Sequence, residues 1–190
     1  MTGLVLCGGN STRMGSDKGL LKEGEDTWAE LAARKLTAIG LPPVVSVNAQ
    51  QAQVYENIFE QEQLIIDKED LGFKAPLAGL LSVHLSLPGE DLFVLACDIK
   101  DITTALLQNL YNGFREDAAE AFVYTSPGMH QPLCGIYTAA GLKRINEILR
   151  AGTLKKYSMM HVLQVLNTVY IPVNEEDIPC FKNYNNPEEC

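Results

Sequence analysis

The stretch LVLCGGNSTRMGSDKGLL, residues 4–21, joins an apolar run to a glycine pair and a polar segment. The run is short and continuous, which is typical of a strand buried on both faces. Glycines let backbone N–H groups approach an anion closely, and consecutive N–H groups in a turn form a concave anion site. Arg13 and Lys18 add cations suited to phosphate oxygens. The residues predict a phosphate-binding loop or, as the simpler alternative, an exposed glycine turn with solvated cations.

The loop does not fit the standard phosphate motifs. Five residues separate Gly9 from Gly15, and Ser16 follows, so the Walker A spacing is absent. The Rossmann G-x-G-x-x-G pattern is absent as well. Any phosphate site here would therefore be of another type.

Apolar runs typical of strands buried on both faces alternate with helical patterns along the chain. The runs lie at residues 4–7, 44–47, 64–66, 92–96, 121–124, 133–137 and 168–171. Helical spacing of apolar residues occurs at 28–40, 76–87, 101–114 and 139–152, the third beginning with Asp101 or a following threonine as its cap. This alternation predicts an α/β fold, Rossmann-like and three-layered, with a mainly parallel sheet. A single domain over residues 1–190 is the simplest organisation.

Polar residues or glycines follow four of the predicted strands. They are the Gly8–Gly9 pair, Asn48, Asp67 and Asp98. In parallel α/β sheets, ligands bind outside the carboxyl ends of the strands. The sequence therefore predicts a ligand site at this edge.

Composition and charge argue against some classes of binding partner and favour one cellular compartment. The net charge is -9 and no cluster of Lys and Arg large enough for a basic face is present, which argues against a nucleic-acid binder. No apolar run is long enough for a membrane span, and no secretory signal precedes the first strand, so we expect no membrane partner and a cytoplasmic location. The five cysteines show no C-x-x-C spacing. We expect them to be unpaired and, for Cys7, Cys97 and Cys134, buried as small hydrophobes.

Six segments resemble the molybdenum cofactor guanylyltransferase family of the nucleotidyltransferases. Residues 6–18 are similar to its signature L-x-G-G-x-S-x-R-M-G-x-D-K. The further segments are VVSVNA (44–49), PLAGLLSV (76–83), LACDI (95–99), HQPLCGIY (130–137) and NYNNPEE (183–189). The resemblance implies a nucleotide-diphospho-sugar transferase type of fold. It also implies transfer of GMP from GTP to a molybdopterin-type cofactor with release of pyrophosphate, with molybdoenzymes or their chaperones as further partners.

The resemblance also implies roles for particular residues. Arg13, Lys18 and Asp98 would be catalytic, with Asp98 holding Mg²⁺. Residues implied to bind the nucleotide or the pterin are Leu6, Cys7, Gly8, Gly9, Lys18, Asn48, Asp67, Gly79, Asp98, Gln131, Pro132, Asn183 and Asn185. Simpler alternatives are strand-end turns for Asn48 and Asp67, close approach of a helix to the sheet for Gly79, and a loop entering a strand for Gln131 and Pro132.

Asp98 follows a buried run and has no cation next to it in the sequence, which makes an unliganded carboxylate there costly. A helix cap is the alternative role, but Asp101 is better placed for that, and Asp101 is also a candidate second metal ligand. The chain departs from the family pattern at Lys100, where a proline usually follows the C-D pair, and at Ala75, where a glycine usually precedes P-L-A-G.

Two other functions stay open at this point. A related cytidylyltransferase would form the cytosine dinucleotide, although such proteins tend to carry Ala-Gly where this chain has Gly8–Gly9. A nucleotide-binding regulator without turnover is the second, but it would have no need of a metal-bridging carboxylate such as Asp98. A sugar-phosphate nucleotidyltransferase fits the R-M-G-x-D-K form less well.

Overall fold

A computed structural model describes residues 1–7, 17–115 and 119–184. Within these ranges the strands are β1 (Thr2–Leu6), β2 (Lys22–Glu23), β3 (Asp26–Thr27), β4 (Pro43–Val47), β5 (Leu64–Ile66), β6 (Leu92–Ala96), β7 (Ala121–Ser126), β8 (Met129–Tyr137) and β9 (Thr168–Pro172). The α-helices are α1 (Trp28–Ala38), α2 (Ala49–Tyr55), α3 (Pro76–Ser86), α4 (Thr104–Gly113), α5 (Ala139–Arg150) and α6 (Met159–Val165).

Seven of these strands form one sheet in the order β5-β4-β1-β6-β8-β7-β9, and β2 pairs with β3 in a small separate hairpin. The four strands from β5 to β6 are parallel. β8 runs opposite to both of its neighbours, and β9 is parallel to β7. The reversal at β8 follows from the tight turn after β7, where Gly128 has a φ of 77°. The predicted α/β class with a mainly parallel sheet is confirmed.

Two apolar clusters lie on opposite faces of the sheet. One packs α1, α2 and α4 against side chains such as Val5 and Leu95. The other packs α3, α5 and α6 against the alternate side chains, such as Leu4 and Val94. Successive strand side chains point to opposite faces, so each inner strand contributes to both clusters. The result is the predicted three-layer arrangement.

The two edge strands differ from the prediction that every strand is buried on both faces. Ile66 of β5 is 50% exposed, and Val169 and Tyr170 of β9 are 37% and 39% exposed. Each edge strand has a neighbour on one side only, so part of its surface stays in solvent. In the described part of the chain no helix is long and apolar enough to cross a membrane.

The cap of α4 decides between two alternatives, and two short helices are additional to the predicted elements. Thr103, rather than Asp101, caps α4, and its hydroxyl accepts a hydrogen bond from the Leu106 N–H. The threonine alternative for this cap was therefore right and the Asp101 alternative wrong. Helices α2 and α6 were not predicted, because each has seven residues and too few turns to show an apolar period.

Candidate active site

The carboxyl ends of β1, β4, β5 and β6 bring the candidate residues to one edge of the sheet. Leu6 of β1 is in register with Ser46 of β4 and Ala96 of β6. Cys7, Asn48, Asp67 and the Cys97–Asp98 pair each follow one of these strands within two residues. This edge is where parallel α/β sheets bind their ligands, as the sequence predicts.

Lys18 and Asp98 form an ion pair at this edge. The Lys18 Nζ lies 2.9 Å from Asp98 Oδ2, and each side chain is 20% exposed. The two residues are 80 positions apart, so the cation partner of Asp98 could not be found among its neighbours in the sequence. The pairing arises because β1 and β6 are adjacent parallel strands whose carboxyl ends lie side by side.

Asp17 holds the backbone that carries Lys18, a role that the sequence analysis missed. Asp17 caps the short 3-10 helix Lys18–Leu20 by accepting a hydrogen bond from the Gly19 N–H at 3.0 Å. Its carboxylate also accepts hydrogen bonds from Gln51 Nε2 at 2.6 Å and from the Tyr55 hydroxyl at 3.2 Å. The D-K pair of the family signature marks Asp17, but its partners Gln51 and Tyr55 belong to α2, which periodicity did not reveal.

The backbone that carries the Lys18 side chain is therefore fixed by hydrogen bonds. Gln51 Nε2 donates a second hydrogen bond, at 3.1 Å, to the carbonyl of Cys7 at the end of β1. One amide thus ties the start of the phosphate-loop candidate to its return at Asp17. A lysine carried on a fixed backbone is preorganised to meet a phosphate.

A metal at this site would rely on few protein ligands. The described residues contain no group of three or more His, Cys, Asp or Glu side chains that could hold a metal ion. Asp98 nevertheless fits Mg²⁺, which often takes one or two carboxylates and completes its shell with water and substrate phosphates. Asp101, the candidate second ligand, instead accepts hydrogen bonds from Lys100 at 3.0 Å and from the Tyr184 hydroxyl.

A cavity of about 510 Å³ adjoins this edge between β4, β5 and the start of α3. Asn48 and Asp67 both line it, together with Phe73 and Ala78. Asn48 also acts as the strand-end residue of the simpler alternative, because its Oδ1 accepts hydrogen bonds from the N–H groups of Gln50 and Gln51 and so caps α2. The cavity therefore brings together two of the residues implied to contact a nucleoside.

Two carboxylates line this cavity, the exposed Glu69 and the half-buried Asp67. Burial raises the pKa of Asp67, and a hydrogen bond that Ser46 Oγ donates to Oδ1 at 2.6 Å acts in the opposite direction. The Asp67 N–H donates to the Val47 carbonyl at 2.8 Å, which fixes the residue against β4. Asp67 is therefore a partly desolvated hydrogen-bond acceptor that is held in place in the wall of the cavity.

Gly79 allows α3 to lie close to the sheet. A Cβ at this position would come within 2.4 Å of Ser46 Oγ and 3.0 Å of Leu6 Cδ2. The structure thus shows the helix-to-sheet alternative for Gly79. Leu6 and Cys7 are 4% and 7% exposed, so their side chains belong to the core, and a ligand would meet them through the backbone.

The residues implied on the acceptor side lie further along the edge. Gln131 and Pro132 lie within β8, so the alternative of a loop entering a strand is wrong. Gln131 is 6% exposed, and its amide contacts Met129 Sδ at 3.1 Å. Asn183 is exposed and precedes Tyr184, whose N–H donates to the Asp98 carbonyl at 3.4 Å.

Four of the residues implied by the resemblance lie outside the described ranges. They are Gly8, Gly9, Arg13 and Asn185. The described cysteines are all free, and Cys7, Cys97 and Cys134 are buried, in agreement with the expectation for them. Burial raises the pKa of the Cys134 thiol to about 12, which keeps it protonated and unreactive at neutral pH.

The sequence of residues 3–168 matches the MobA-like NTP transferase domain family. The chain belongs to this family of nucleotidyltransferases. This MobA-like chain is also similar to a curated protein named "Probable molybdenum cofactor guanylyltransferase" from Methanothermobacter thermautotrophicus. The two are 30% identical over 195 residues, which cover 97% of this chain and 94% of the relative.

Solved structures agree on the fold of this MobA-like chain. The molybdopterin-guanine dinucleotide biosynthesis protein A of Archaeoglobus fulgidus superposes with a TM-score of 0.80 at 20% identity, covering 100% of this chain and 94% of that one. A nucleotidyl transferase from Methanothermobacter has a TM-score of 0.74 at 14% identity, covering 99% and 93%. At these identities the likeness concerns the fold.

Proposed function

We propose that this protein transfers GMP from GTP to a molybdopterin-type cofactor and releases pyrophosphate. The observation that carries the proposal is the Lys18–Asp98 pair, which lies at the same carboxyl edge of the sheet as a cavity lined by Asn48 and Asp67. A cation and a metal-ligating carboxylate are the groups that nucleotidyl transfer needs, and a neighbouring cavity gives the nucleoside a place to bind. The resemblance of six segments and the name of the 30% identical relative both support this choice.

In the proposed reaction, an oxygen of the terminal phosphate of the pterin attacks the α-phosphorus of GTP. The bond from the α-phosphorus to the bridging oxygen of the β-phosphate breaks, and pyrophosphate leaves with the electron pair. Mg²⁺, when bound, would neutralise phosphate charge and align the reacting groups. Asp98 would hold this ion, while Lys18, braced by Asp17, would meet the negative charge that grows on the leaving group.

Asp67 supports guanine over cytosine on chemical grounds. The Watson–Crick edge of guanine presents two adjacent N–H donors, whereas that of cytosine presents one donor next to an acceptor. A carboxylate, which only accepts when ionised, complements two donors and repels an acceptor. Asp67 is partly desolvated, and this strengthens both effects.

The test is a nucleotide competition with a molybdopterin acceptor and Mg²⁺. Pyrophosphate release is measured with GTP, CTP and ATP for the parent protein and for Asp98→Asn. The proposal expects the highest kcat/KM with GTP and loss of turnover in the variant. A higher kcat/KM with CTP would identify a cytidylyltransferase, and GTP binding without pyrophosphate release from the parent protein would identify a nucleotide-binding regulator.

A further inference from the structure

The segment at residues 182–184 returns to the turn that follows β6. The Tyr184 N–H donates a hydrogen bond to the Asp98 carbonyl at 3.4 Å, and Tyr184 is 8% exposed. Tyr184 thus joins residues 182–184, which we call the closing segment, to the backbone of the residue proposed to bind the metal.

The Tyr184 side chain has partners along its whole length. Its hydroxyl donates a hydrogen bond to Asp101 Oδ2. The ammonium groups of Lys100 and Lys182 lie 4.4 Å and 4.5 Å from the ring centroid, within the range of cation–π contacts. The ring also meets Trp28 of α1 edge to face, with centroids 6.1 Å apart and planes at 64°.

Lys100 is held as firmly as the tyrosine that it contacts. Its Nζ lies 3.1 Å from Glu23 Oε2 and 3.0 Å from Asp101 Oδ1, and its side chain is 13% exposed. The Lys35 ammonium donates to the Lys100 carbonyl. The family pattern usually has a proline at this turn, and a proline ring fixes the backbone directly. Here ionic and aromatic contacts of Lys100 do so instead.

We infer that Tyr184 is a positioning residue that clamps the closing segment onto the turn of residues 97–103 and thereby holds Asp98 and Asn183 side by side. The clamp consists of Tyr184, Lys100, Asp101 and Lys182, with Glu23 as the outer anchor of Lys100. The clamp is inferred from the contacts of these residues alone, whereas its effect on catalysis rests on the proposed function of Asp98.

Hydrogen–deuterium exchange tests the clamp without any turnover. The variants are Tyr184→Ala, which removes the ring, and Tyr184→Phe, which removes only the hydroxyl. Tyr111→Ala is the matched control, because Tyr111 is a half-exposed tyrosine of α4 outside the clamp. We expect amides of residues 98–103 and of residue 184 to exchange at least tenfold faster in Tyr184→Ala and as in the parent in Tyr111→Ala. In Tyr184→Phe, these amides should exchange faster than in the parent and more slowly than in Tyr184→Ala.

Unchanged exchange at residues 98–103 in a folded Tyr184→Ala variant would overturn the inference. If that variant does not fold, Lys100→Met decides the matter, because it keeps the aliphatic stem and removes the charge that contacts Glu23, Asp101 and the tyrosine ring. Faster exchange at residues 98–103 in Lys100→Met supports the clamp, and exchange equal to that of the parent overturns it.

A Mg²⁺ titration then tests whether the clamp acts through Asp98. We expect Tyr184→Ala to raise the half-saturating Mg²⁺ concentration at least threefold while GTP affinity without acceptor stays within twofold, because the nucleoside cavity is elsewhere along the edge. An unchanged Mg²⁺ requirement would overturn the catalytic part of the inference. A parent protein without turnover would instead count against the proposed function, and the exchange experiment would still judge the clamp.

Discussion

Lys18 and Asp98 neutralise each other across the edge of the sheet, at a distance of 2.9 Å. Both side chains are partly desolvated, so removal of either partner takes away a charge–charge contact that offsets the cost of burial. A bound triphosphate with Mg²⁺ would replace this pairing, because the phosphate oxygens can accept from Lys18 while the metal takes the carboxylate. The ion pair therefore fixes both side chains at the place where the proposed substrate would bind.

Asp98→Asn is expected to separate binding from chemistry. Asparagine keeps the size of the side chain but removes the charge that a hard cation requires. We expect turnover to fall at least about a hundredfold, as for loss of a preorganised electrostatic group. GTP affinity should stay within roughly tenfold, or about 1.4 kcal/mol. Calorimetry and pyrophosphate release measure the two effects, with the exposed Glu147→Gln as control. Normal turnover in Asp98→Asn would show that the metal is held elsewhere.

Asp67→Asn is expected to weaken binding and yet stabilise the fold at neutral pH. Burial raises the pKa of Asp67 above its ordinary value of 3.8, so the folded state holds this proton more tightly than the unfolded state. Asp67 therefore contributes less and less to the free energy of unfolding as the pH rises from 3.8 to the raised pKa of the folded state. Asparagine avoids this loss and still offers Ser46 an acceptor.

Urea unfolding at pH 7.5 and pH 4.5 measures this effect. The free energy of unfolding of Asp67→Asn should exceed that of the parent at pH 7.5, and the difference should shrink at pH 4.5. GTP affinity should fall about tenfold or more, since hydrogen bonds to charged groups contribute about 1.5–3 kcal/mol. A difference that grows towards acid would mean that Asp67 is stabilised, rather than penalised, as a carboxylate.

At the scale of single elements, α3 shows how closely a helix must approach the sheet to build the cavity. Eight of its residues are buried, and Pro76 begins the helix, where a proline needs no backbone N–H. Gly79 faces Ser46 across the contact, and Ser46 in turn holds Asp67. The helix-to-sheet distance and the position of the carboxylate are therefore coupled.

Gly79→Ala is expected to destabilise the protein and weaken nucleotide binding together. Alanine is favoured over glycine in a helix by up to about 1 kcal/mol, but overpacking typically costs about 1–3 kcal/mol. A Cβ at 2.4 Å from a buried hydroxyl makes overpacking the larger effect. Gly89→Ala is the control, since a Cβ there meets nothing within 4 Å. Thermal unfolding and GTP calorimetry test this, and a stabilised Gly79→Ala would show that α3 can move outward freely.

At the scale of the whole molecule, the proposed site for an anionic substrate lies in an acidic chain. The net charge is -9, yet the carboxyl edge of the sheet carries Lys18, and Lys68 and Lys74 line the cavity. Local cations can hold a triphosphate against an unfavourable overall charge, and Mg²⁺ reduces the repulsion further. Binding should accordingly depend on Mg²⁺ and on salt.

GTP with Mg²⁺ is expected to stabilise the whole fold. A ligand at a hundred times its dissociation constant adds about 2.7 kcal/mol if it binds the native state alone. For a chain of this size that corresponds to a rise in Tm of about 5–10 °C. Differential scanning fluorimetry with GTP, CTP and ATP, each with and without Mg²⁺, measures it. A larger shift with CTP than with GTP would contradict the proposed guanine preference.

Local patterns in the sequence were sufficient for the layers and for most elements. Strand and helix periodicity depends on neighbouring residues, so the α/β class, the strands of the central sheet and four helices could be read directly. The positions of Asn48, Asp67 and Asp98 at strand ends followed from the same reading. Short α2 and α6 escaped it, because seven residues make barely two turns.

Contacts between distant residues were settled by the order of the strands in space. Lys18 meets Asp98 because β1 and β6 are neighbours, and Asp17 meets Gln51 because α2 follows the next strand of the sheet. Tyr184 reaches the Asp98 carbonyl from the far end of the chain. No local pattern encodes which strands pair, since pairing depends on how the apolar faces of all the elements are buried together. Single residues of the sequence therefore determined which chemical groups lie at the edge, and tertiary packing determined which of them meet.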